Sequence, residues 1–102
     1  MQLEQLLETL PEYARDLKLN MGAVLKQPEL TPRQAWGTAL SCAIACRNPQ
    51  LIESVLDEAA KHLDETAIFA ARAAAAVMGM NNIFFRFRHL SSNQKYAEMP
   101  AA

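Results

Sequence analysis

Two prolines restrict this chain more than any other feature, because each stands directly behind a residue that caps helices. They occur in Thr31-Pro32 and Asn48-Pro49. Proline has a fixed φ near −65° and no backbone N–H, so it fits the first turn of a helix and breaks the interior. The Thr or Asn ahead of it accepts a hydrogen bond from the open helix end. Gln34 lies three residues after Thr31 and completes a capping box. Pro11 in the same way starts a helix through Glu12 to Leu17. Glycine occurs only three times, β-branched runs are absent, and Leu, Ala, Glu, Gln and Arg dominate, all helix formers. The chain is therefore expected to be all-α, with five to six helices.

Apolar periodicity places those helices. Leu3, Leu6, Leu7 and Leu10 mark the first, over Gln2 to Leu10. Asn20, Gly22 and Pro28 predict a turn, a short helix through Val24-Leu25, and a loop. After Thr31, the residues Trp36, Leu40 and Ile44 form one apolar face. Gly37, Ala39, Ser41, Ala43 and Ala45 between them allow another helix to approach closely. Leu51, Ile52, Val55, Leu56 and Ala59 give the buried stripe of the helix opened by Asn48. Asp64 caps the next helix, which runs through an alanine block to about Val77, where Gly79 and Asn81-Asn82 kink or end it. Ile83 to Arg88 continues as helix. One domain over residues 1–90 and a loose tail over 91–102 follow from the loss of periodicity after Ser91.

The chain has 102 residues, a size that supports one core. Its net charge of −1 opposes nucleic-acid binding, which needs clustered Lys and Arg. No uninterrupted apolar run reaches the ~20 residues that span a bilayer. The N-terminal stretch carries Glu4 and Glu8 where a secretory signal carries basic residues. Cytoplasmic residence is the expectation. The hydrophobic share of 51% points to an oligomer interface or a pocket as well as a core.

Few residues carry chemistry. Cys42 and Cys46 lie four apart near the end of the third helix, where parallel side-chain vectors disfavour a disulfide between them. Two small buried residues are the simplest expectation. Against it, Cys46 stands beside Arg47 and just before the helix start at Asn48-Pro49, a local field that favours a reactive thiol. No nearby ligand set for a metal accompanies them, and no cofactor is called for. His62 is expected to meet the carbonyls that end its helix, and His89 a solvated helix end. Glu53, Asp57 and Glu58 read as a wet helix face. Trp36, Phe84, Phe85 and Phe87 read as core or interface packing.

Four strings together carry a resemblance. They are Leu10-Pro-Glu-Tyr-Ala-Arg-Asp-Leu-Lys-Leu-Asn20, Trp36-Gly-Thr-Ala-Leu40, Arg47-Asn-Pro-Gln50 and Ala74-Ala-Ala-Val-Met-Gly-Met-Asn-Asn-Ile83. Over roughly residues 2–90 the chain resembles the N-terminal half of the alkylhydroperoxidase D members of the carboxymuconolactone decarboxylase family. That resemblance implies an all-α, homo-oligomeric protein of antioxidant chemistry acting on peroxides or disulfides. In that family the redox Cys-x-x-Cys and its histidine belong to the C-terminal half, which is similar in structure to the first. Laying the second half's motif onto this chain puts the first cysteine on Cys46 and the resolving cysteine on Pro49. The histidine falls on Glu53 and the assisting glutamate near Gln34. What the resemblance implies is thus at most a weak single-cysteine peroxidase at Cys46, recharged by an external thiol reductant. The alternative is a non-catalytic oligomeric binding or scaffold module. Assembly as a dimer, or as a trimer of dimers, is expected.

Overall fold

The computed structural model describes residues 2–91 and 94–98, and these are helical with no strand among them. Helix α1 spans Leu3–Glu8, α2 Arg15–Val24, α3 Pro32–Cys46, α4 Pro49–Ala59, α5 Glu65–Ser91 and α6 Gln94–Ala97. The fold is all-α, as the helix formers and proline placement require. A 3₁₀ turn over Glu12–Ala14, opened by Pro11, leads into α2.

The caps form as the sequence specifies. Thr31 Oγ1 accepts from the Gln34 backbone N–H at 3.1 Å, and Gln34 Oε1 accepts from the Thr31 N–H at 3.0 Å. Asn48 Oδ1 accepts from the Leu51 N–H at 3.2 Å, with Pro49 in the first turn. Asp64 Oδ1 accepts from the Ala67 N–H at 2.8 Å and starts α5.

Helix α3 is the central element. It packs mainly against α5 and α4, while α1 covers α4. Leu3, Leu40, Ala43, Val55, Ala59, Leu63 and Ala71 form the buried cluster, with Trp36 and Ile44 leaning on its edge. The alanines on α3 and α5 allow the two helices to sit close. These helices run in the same direction. Arg33 pairs with Asp64 at 3.6 Å where both begin, and Ala45 and Arg47 share a groove with Met78 and Ile83 farther along.

Two expected breaks are absent. Helix α2 passes through Asn20 and Gly22 without the predicted turn, and α5 passes through Gly79 and Asn81-Asn82 without ending. A single glycine costs a helix only about 1 kcal/mol. The surrounding Leu, Met and Ala residues outweigh that, and no glycine takes a positive φ. Uninterrupted, α5 is long and apolar enough to cross a membrane by length and composition alone. A helix tolerates Arg72 and two asparagines within such a length, so counting apolar runs underestimates it. Ser91 belongs to α5 rather than to a tail, and α6 follows it. Met99 to Ala102, the end of the expected tail, lies outside the described residues.

Candidate functional site

Cys46 is the last residue of α3. Arg47 then turns the chain with φ 63°, a left-handed conformation rare for a side chain with a Cβ. Asn48 caps α4 immediately afterwards. The thiol therefore stands at a sharp corner between two helices, with the open end of α4 two residues away. Cys46 is exposed.

Cys42 sits one turn earlier and is also exposed. The expectation of two buried cysteines is therefore wrong. The buried positions of α3 are Ala35, Leu40 and Ala43, and the cysteines fall on another side of the helix. Their small size fitted a core, but the 3.6-residue period of the helix placed them outside it. Both are free thiols.

The two thiols differ in their surroundings. Cys42 and Ser41 line open grooves between α3 and α5. One groove holds Arg33, Gln34 and Thr38 beside the α5 alanines. The other, about 710 Å³ in volume, has Arg47 and Arg72 on an apolar floor that includes Ile44, Met78 and Ile83. Cys46 lines neither groove. Sequence spacing singled out Cys46 and missed both the groove position of Cys42 and the placement of Arg72 beside it.

The remaining positions of the family overlay have structural work. Gln34 closes the capping box of α3, Pro49 opens α4, and Glu53 is exposed on the α4 surface. None supplies a second thiol or an imidazole. His62 does not sit against helix-ending carbonyls as a side chain. Its ring stacks flat on Trp36, with centroids 5.1 Å apart and planes 6° from parallel. His89 is exposed in the last turns of α5. Glu53 and Asp57 are exposed, and Glu58 is half-buried with Lys61 at 3.2 Å. Among the described residues, no three His, Cys, Asp or Glu side chains cluster as a metal site. The site is thus a pair of accessible thiols on one helix with arginines near them.

No protein-family model matches the chain. Curated bacterial proteins do. The chain is 75% identical over 101 residues to the alkyl hydroperoxide reductase AhpD of Solibacter usitatus, covering 99% of this chain and 57% of that protein. It is 56% identical over 102 residues to AhpD of Acidobacterium capsulatum, covering 99% of this chain and 56% of that protein. Against AhpD of Koribacter versatilis the identity is 53% over 102 residues, covering 99% and 53%. The chain spans about half the length of the curated relatives it matches. An all-α fold, near-complete coverage of this chain and identities of this size support an AhpD-like family for it.

Proposed function

We propose that this chain acts in antioxidant chemistry as an AhpD-like unit, and that its own contribution is a single-cysteine peroxidase reaction at Cys46. The observation that carries this is an accessible Cys46 at the α3–α4 corner in a chain 75% identical to a protein named alkyl hydroperoxide reductase. The reaction balances with thiols alone. The Cys46 thiolate attacks the terminal oxygen of a hydroperoxide, the O–O bond breaks, and an alcohol leaves once protonated. The sulfur becomes a sulfenic acid. One external thiol condenses with it, releasing water and forming a mixed disulfide. A second external thiol displaces Cys46 as a free thiol and leaves an external disulfide. With Pro49 in the resolving position, both reducing thiols come from outside the chain. Arg47, next to Cys46 in the chain, is the candidate source of positive charge for the attacking thiolate.

Cytoplasmic residence fits free thiols, since a reducing compartment preserves them. Homo-oligomeric assembly belongs to the same proposal. The test of the chemistry is consumption of an organic hydroperoxide with dithiothreitol as reductant. Cys46→Ser should abolish turnover, and Cys42→Ser should retain it. Dimedone trapping after peroxide treatment should add its mass to the peptide holding Cys46. Absence of turnover in the unsubstituted chain would sink the peroxidase proposal.

A further inference from the structure

Two arginines share the larger groove between α3 and α5 with no acidic side chain beside them. The groove has a volume of about 710 Å³, and Arg47 and Arg72 are among its lining residues. No Asp or Glu lines it. Among the described residues, neither arginine pairs with a carboxylate, whereas Arg15, Lys18, Arg33 and Lys61 each do. Arg88 is engaged differently, over the rings of Phe84 and Phe85. Positive charge in a concave surface, without a counter-ion from the protein, is complementary to an anion from outside.

The rest of the lining selects among anions. Ile44 of α3 and Met78, Met80 and Ile83 of α5 make the floor apolar. Methionine side chains are flexible and adapt to an alkyl surface. Along α5, Arg72 and Ile83 stand about 16 Å apart at 1.5 Å per residue, so the floor is elongated. The volume falls within the range of about 300–1,000 Å³ common to small-molecule clefts. Phosphate or sulfate would meet the arginines and leave this floor wet. A neutral alkyl chain would cover the floor and leave the charges unmatched.

We infer that the groove binds an elongated amphipathic carboxylate of the fatty-acid class. Its carboxylate meets Arg47 and Arg72, and its alkyl chain lies on Ile44, Met78 and Ile83. A guanidinium suits this head group, because its planar donors match the two carboxylate oxygens. The inference goes beyond the peroxidase reading: no bond forms or breaks, and Cys46 lines no part of the groove.

The groove contains its own reporter. Cys42 lines it and Cys46 does not, and both thiols are exposed on one helix. At ten times its dissociation constant, dodecanoate should slow alkylation of Cys42 by iodoacetamide about tenfold in the full chain. Cys46, read in the same digest, should keep its rate. Dodecanol, with the same chain and no charge, should protect far more weakly. Arg72→Gln should raise the dodecanoate concentration needed about fivefold, the scale of an exposed charge pair. Met78→Glu puts a carboxylate on the floor and should remove protection. Arg72 and Met78 are exposed, so both variants should keep their helical circular dichroism. Both residues line this groove and not the neighbouring one that Cys42 also touches. Protection of neither thiol, or of both equally, would overturn the site. Dodecanol equal to dodecanoate would overturn the role of the arginines. Protection indifferent to both substitutions would place the ligand elsewhere and overturn the groove. So would a Cys42 that resists iodoacetamide without ligand, because the groove would then be covered. None of these outcomes depends on peroxide turnover, so the two proposals fail separately.

Discussion

Arg47 has φ 63° because the chain must reverse between Cys46 and the α4 cap within two residues. A left-handed residue with a Cβ costs about 1–2 kcal/mol. Arg47→Gly should therefore stabilise the fold by about 0.5–1 kcal/mol in urea unfolding, after the entropy that glycine adds to the unfolded chain. The same variant should slow the reaction of Cys46 with peroxide, because the cation adjacent to it in the chain is gone. A gain in stability without loss of rate would separate the corner's geometry from its charge. At the start of α3, Thr31→Ala removes the oxygen that accepts from Gln34 N–H and should cost about 1 kcal/mol. For the thiols, mass spectrometry under non-reducing conditions should find Cys42 and Cys46 both free, since both are unpaired and share one helix.

Helices α2 and α5 both carry glycine in their interiors. At Gly22 an added Cβ would meet no heavy atom within 4 Å, and the backbone φ is negative. Gly22→Ala should stabilise the chain by about 0.5–1 kcal/mol, read as a shift of the urea midpoint at constant slope. An unchanged or lowered midpoint would mean that α2 bends at this point in solution. Starts of elements were legible in the sequence because Thr31, Asn48 and Asp64 announce themselves by side chains that bond to their own helices. Ends were not. Asn20, Gly22 and Gly79 look like stops, yet each sits among strong helix formers, and the local cost of continuing is small. The buried stripe of α4 was legible for the opposite reason: Val55 and Ala59 lie four apart on one face, and that period admits a single orientation.

At the scale of the molecule, stability depends on a small cluster around Leu40, which is fully buried. Leu40→Ala should cost about 2–5 kcal/mol and is expected to unfold much of the chain at ambient temperature. The sequence by itself determined the fold class, the helix starts, the buried face of α4, and the absence of a second thiol three residues after Cys46. Each of these depends on neighbours within a few positions of the chain. Only the tertiary structure decided that the cysteines face outward, that His62 lies flat on Trp36, and that α5 outruns its partner. These depend on which side of α3 the other helices occupy, and small residues such as Cys and Ala fit either side of a helix. Burial of the long-range kind is set by packing partners distant in sequence, and local periodicity carries no record of them.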